Sequence, residues 1–118
     1  MNFVTCAVAG LAASALATTL GPALTVNADA TAYLVNVTVR PGYHFASAAD
    51  ALGYGHGICD KIASGRGYSR LIGDLKADLA TPDDYQASYL IAQAANELCP
   101  GLIWQLRNSA GGYRFTTP

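Results

Sequence analysis

Every charged side chain of this chain lies at or beyond Asp29. The 28 residues before it are rich in Ala, Leu, Val and Thr, and they are interrupted by Gly10, Gly21 and Pro22. They lead into the small-residue run Val26-Asn27-Ala28-Asp29-Ala30. An apolar stretch of this length followed by small residues three and one before a cut is the pattern of a secretory signal peptide, with cleavage after Ala28 or Ala30. The n-region is only Met1-Asn2, so its positive charge comes from the α-amino group. The competing reading is an uncleaved N-terminal membrane anchor, because about 20 apolar residues span a bilayer. The many Ala and Thr residues, the Gly21-Pro22 breaker and the lack of a Lys/Arg flank argue against it. With the leader removed, no stable membrane span is expected.

Cleavage also settles the cysteine arithmetic. Cys6 leaves with the leader, and Cys59 and Cys99 remain, an even number in a compartment that permits oxidation. The chain has no CxxC, and the 40-residue separation is not a metal signature. A structural disulfide is therefore expected. In the chain-entropy model a loop of this length is worth about 4 kcal/mol, a large share of the ~5 to 10 kcal/mol that holds a domain of this size.

Residues 29–107 read as one small all-α domain, a bundle of about four helices. The first covers Ala30 to Val39, where β-branched Val35, Val37 and Val39 leave helix and strand in competition. Helix is preferred because no strand partner follows. Ser47, with Asp50 three residues on, caps the second, whose Leu52, Gly55, Cys59, Ile62 and Ala63 share one face. Gly53, Gly55 and Gly57 are expected to permit close packing, and Gly65-Arg66-Gly67 ends the element. The third helix, about Tyr68 to Leu79, has a stripe of Leu71, Ile72, Leu75 and Leu79. In the fourth, Thr81 is the expected cap, Pro82 the first helical residue, and Asp83 and Asp84 complement the dipole. Its inner line is Ala87, Ile91, Ala94 and Leu98, flanked by Leu90 and Ala95, and Cys99-Pro100-Gly101 closes it. Residues 102–106 form at most one further turn, and 108–118 are expected to be a flexible tail.

Asp29-Ala30 through Leu34, Gly57-Ile58-Cys59, Gly65, and Ala94-Ala95 through Cys99-Pro100 together resemble the DUF732 family, small secreted proteins of mycobacteria and their relatives. The resemblance covers almost the whole mature region. It implies an all-helical domain with Cys59 and Cys99 bridged and export to the envelope or beyond, and it implies no activity. The His44-Phe45 segment and the aromatic tail beyond Trp104 depart from the family pattern.

Composition excludes some functions. Net charge is -1 with 13% charged residues, and the seven Lys and Arg are dispersed singly along the chain, so no phosphate-neutralising face is expected and nucleic acid is not an expected partner. No cofactor or metal motif is present. His56 and Asp60 lie four apart on the second helix, the spacing of an acid/base pair. Without a His-Glu-x-x-His run or a nucleophile elbow, a solvated surface pair is the preferred reading over a small hydrolase or metal-dependent enzyme. Every aromatic residue but Phe3 lies in the mature part. Tyr43, Phe45 and Trp104, outside the four helices, are the candidates for an exposed binding surface. The expected function is therefore a secreted or envelope-associated non-enzymatic binding module, with a protein or envelope component as partner. A structural envelope protein without a ligand is the third reading.

Overall fold

A computed structural model describes residues 29–116. The signal peptide expected over 1–28, with Cys6, lies outside these residues. The described chain is all-helical: α1 (29–39), α2 (Ala48–Ala63), α3 (Tyr68–Asp78), α4 (Asp84–Gln93) and α5 (Ile103–Ala110). A π-turn at Ala94–Leu98 and a 3₁₀ turn at Pro100–Leu102 join α4 to α5. No helix among the described residues is long and apolar enough to cross a membrane.

The apolar stripes bury in the main, with one shift on α2, where Ala51 and Ile58 go inside with Gly55, Cys59 and Ile62 while Ala63 is exposed, and with Leu52, Leu79 and Leu98 only half-buried. Ile58, Cys59 and Ile62 of α2, Leu71, Ile72 and Leu75 of α3, and Ala87, Leu90, Ile91, Ala94 and Ala95 of the fourth segment form one core with Tyr33 and Val37 of α1. The ambiguous 30–39 segment is helical. Its Tyr33 is fully buried, and its hydroxyl donates to the Ala51 carbonyl at 3.0 Å. Tyr33 lies over Gly55, where a Cβ would meet the ring's Cζ at 2.7 Å, its hydroxyl at 2.8 Å and Leu98 Cδ1 at 2.7 Å. The expectation for the other two glycines is corrected here. Nothing stands within 4 Å of a Cβ at Gly53 or Gly57, because both project away from the stripe that carries Gly55.

Caps account for the helix ends. Ser47 Oγ accepts from the Asp50 amide at 3.1 Å, as its position predicts. α3 has Gly67 at its cap position and borrows a hydroxyl from elsewhere, with the Tyr68 amide donating to Ser109 Oγ of α5 at 3.2 Å. α2 and α3 both close in Schellman motifs. Arg66 N donates to Lys61 O and Gly65 N to Ile62 O, while Thr81 N donates to Lys76 O and Ala80 N to Ala77 O. Gly65 holds the left-handed position in the first motif, at φ +92°. In the second, Ala80 holds it at φ +52°, a conformation that costs an L-residue with a Cβ about 1 kcal/mol or more.

The start of α4 differs from the sequence expectation. Asp83, not Thr81, is the N-cap, accepting from the Tyr85 amide at 2.9 Å, and Thr81 Oγ1 instead accepts from the Asp83 amide at 3.1 Å. Both residues are strong cappers, and here Thr81 closes the turn that positions the true cap. The helix also ends early in its α form. The Cys99 amide donates to the Ala94 carbonyl, five residues back, at 3.3 Å. This wider turn delivers Cys99 to Cys59, and the two are bridged with Cα atoms 6.1 Å apart. The disulfide thus ties α2 to the end of the α4 segment, as expected.

Candidate functional site

The residues singled out in the sequence do not meet at one place. His56 and Asp60 are both exposed on α2, and no hydrogen bond among the described residues joins them. His56 instead borders a hollow of about 180 Å³ with Asp29, Ala30, Glu97 and Leu98, and Asp60 is not part of it. No group of three or more His, Cys, Asp or Glu among the described residues could hold a metal ion.

Tyr43 and Phe45, chosen as exposed, are half-buried instead. Tyr43 donates to the Gln86 carbonyl at 2.6 Å and stacks on Tyr89, while Phe45 tilts against Tyr54. Burial pushes the Tyr43 hydroxyl up to about 12. The segment after Pro41-Gly42 does not carry its aromatics outward, because it lies across α4. Gln86 fixes it there, with its amide donating to the Gly42 carbonyl at 2.7 Å. Tyr43 and Phe45 form the inner wall of a groove of about 300 Å³ against Leu34, Val37 and Thr38 of α1. Trp104 is exposed as expected, at 72%, with the Arg107 guanidinium 5.4 Å from its ring centre.

A largely apolar hollow lies elsewhere, between α3, the end of the α4 segment, α5 and the chain beyond α5. Its volume is about 350 Å³ and its lining includes Tyr68, Ala95, Leu106, Ala110, Tyr113 and Phe115, with Asn96 and Arg107 as its polar members. Residues 108–110, read from sequence as the start of a tail, continue α5 instead. After the Gly111-Gly112 turn, Tyr113 meets Tyr68 edge-on at 5.2 Å between ring centres, and Phe115 meets Tyr85 edge-on at 4.6 Å. We refer to residues 113–116 as the C-terminal strap.

The strap is anchored on one carboxylate. Asp84, the first residue of α4, is 1% exposed. Its Oδ2 accepts from the Tyr113 hydroxyl at 2.7 Å, the Thr116 amide at 2.9 Å and the Thr116 hydroxyl at 3.0 Å, and its Oδ1 pairs with Lys76 Nζ at 2.7 Å. The Lys76 ammonium, followed by the Thr116 amide and the Tyr113 hydroxyl, holds the Asp84 carboxyl far below the usual carboxylate range. Burial, then the facing Asp84 charge, pushes the Tyr113 hydroxyl up to about 12, so the phenol stays a donor. Asp84 serves the dipole as its sequence position implied, and it also locks the strap across the cleft.

Sequence reasoning missed this cleft because its walls come from three separate stretches. The available signal was the Tyr113/Phe115 pair carried on a glycine turn immediately after a helix-compatible segment.

The model of the family "Protein of unknown function (DUF732)" matches residues 28–101. This chain is a DUF732 protein. The matched residues take in both bridged cysteines and Asp84, while α5 and the strap lie beyond them. The cleft of this DUF732 chain is therefore built across that boundary, with Tyr68, Ala95 and Asn96 from within the match and Leu106, Arg107, Ala110 and the strap from outside it. No curated protein and no solved structure matches the chain.

Proposed function

We propose that this DUF732 protein is an exported, non-enzymatic binding module whose ligand site is the apolar cleft under the C-terminal strap. The observation that carries the reading is the lining of that cleft, which among the described residues is aromatic and aliphatic side chains with a single cation and a single amide. Small-ligand sites are typically concave and mostly apolar, with a few polar groups that fix orientation. His56 and Asp60 lie on a different surface, which favours binding over acid/base chemistry. Export would remove the apolar leader and leave the disulfide-stapled domain in an oxidising compartment, where a helical bundle of this size gains most from a covalent tie.

Intact-mass analysis of culture supernatant from an actinobacterial host tests the reading. The expected species begins at Asp29 or Thr31, gains two hydrogens on reduction, and under native conditions carries additional small-molecule mass that is lost on denaturation. A full-length, membrane-bound species with free thiols would overturn the proposal of export. A secreted species with no additional mass that also fails to take up any apolar probe would overturn the binding role.

A further inference from the structure

We infer that the cleft takes a free, single-chain amphiphile with an anionic head, a carboxylate of the fatty-acid type, with its chain in the cleft and its head on Arg107. The inference rests on the binding-module reading above and names its ligand class. Three observations select this occupant. The volume of about 350 Å³ stands near the lower end of the ~300 to 1,000 Å³ range of small-ligand sites, which suits one chain and not a two-chain lipid. Among the described residues, Arg107 is the only charged one on the lining and none there is acidic. Among the described residues no carboxylate lies within ion-pair distance of Arg107, which is exposed and has its guanidinium 5.4 Å from the centre of the Trp104 ring. A guanidinium left without a carboxylate beside an apolar hollow is complementary to an anion attached to an apolar body. The side-chain amide of Asn96, also on the lining, supplies a second donor for the same head.

Trp104 is the only tryptophan of the chain, and it touches Arg107, so its fluorescence reports on head-group occupancy. The protein recovered from culture medium, freed of bound ligand, would be titrated with monomeric dodecanoate, dodecanol and dodecyltrimethylammonium. Trp104 emission and calorimetry would be followed together. The expected result is saturable one-to-one binding of dodecanoate, with the cationic analogue weaker by about tenfold or more. Arg107→Gln, at an exposed position, should shrink the gap between dodecanoate and dodecanol to within about twofold. Ala110→Phe, which fills the cleft from α5, should abolish binding of all three while leaving the thermal midpoint near that of wild type.

If dodecanol binds as tightly as dodecanoate and Arg107→Gln changes nothing, the anionic head is refuted while the cleft stands. Unchanged dodecanoate affinity in Ala110→Phe would refute the cleft as the site, and the binding-module reading with it. A Trp104 response to phosphatidylglycerol vesicles but not to monomeric dodecanoate would overturn the free amphiphile in favour of a membrane surface.

Discussion

The three glycines of α2 offer one substitution with two opposite expected signs. In a helix interior, Gly→Ala gains up to about 1 kcal/mol from backbone entropy alone. At Gly53 and Gly57 a new Cβ meets nothing within 4 Å, so each Ala variant should be more stable than wild type by roughly 0.5 to 1 kcal/mol. At Gly55 the same methyl would stand 2.7 Å from Tyr33 Cζ and 2.8 Å from its hydroxyl. Leu98 can yield, since its Cδ1 is the end of a flexible side chain. Tyr33 cannot, because its ring is fully buried and its hydroxyl is bonded to the Ala51 carbonyl. Overpacking costs about 1 to 3 kcal/mol and a broken buried hydrogen bond about 1 kcal/mol more, against a propensity gain of at most ~1 kcal/mol. Gly55→Ala should therefore be less stable by roughly 1 to 3 kcal/mol. Urea unfolding of the oxidised protein, followed by circular dichroism with the slope held common, measures all three. For a domain of this size 1 kcal/mol corresponds to about 4 to 8 °C in Tm, so the signs separate clearly. Gly55→Ala at or above wild-type stability would refute the close approach of Tyr33, and a destabilised Gly53→Ala would refute the open space on the opposite face.

Three further outcomes follow from the same structure. Ala80→Gly relieves a left-handed alanine in an otherwise complete Schellman motif and should raise stability by up to about 1 kcal/mol, whereas Gly65→Ala, at φ +92°, should lower it; equal effects in the denaturation midpoint would contradict the two geometries. Asp74 is held down to about 2, chiefly by the Arg66 hydrogen bonds with help from Lys61, and Asp84 is held lower still. Because both folded values lie below the unfolded value of about 4, their contribution is complete above ~pH 4 and is lost as pH falls toward 2. The urea midpoint should drop over that window, and less steeply in Asp84→Asn, while a flat midpoint from pH 6 to 2 would contradict the assignment. Replacing both bridged cysteines by Ser should cost about 4 kcal/mol in the chain-entropy model, and a loss under ~1 kcal/mol by the same assay would show that the loop is already restrained without the bridge.

Local signals carried most of the fold. Leu71, Ile72 and Leu75 stand on a 3.6-residue stripe, Ser47 has its Asp50 amide, and the Cys59/Cys99 pair followed once Cys6 was assigned to the expected leader. The three glycines of α2 are expected alike to sit against a neighbour, and only Gly55 does, because the ring that approaches it comes from Tyr33, 22 residues away. Where two residues compete for one role, local reasoning failed. Thr81 and Asp83 both cap, and the choice fell to the residue adjacent to the first helical amides. The π-turn that brings Cys99 round has no compositional mark. The candidate cleft was illegible for a physical reason: its closure depends on Asp84 meeting Tyr113 and Thr116 about thirty residues away, and no periodicity reports on such a contact. Conversely, Tyr43 and Phe45 looked free only because the Gln86 contact that seats their loop is equally remote.

The central claim is that the cleft beneath the strap is the binding site, and amide chemical-shift mapping of the isotope-labelled, disulfide-bonded protein with dodecanoate tests it most directly. The account predicts perturbations concentrated at Tyr68, Ala95, Leu106, Ala110 and Tyr113 and at the Trp104 indole. Perturbations centred on Leu34, Tyr43, Phe45 and Ala48 would place the ligand in the α1 groove and contradict it.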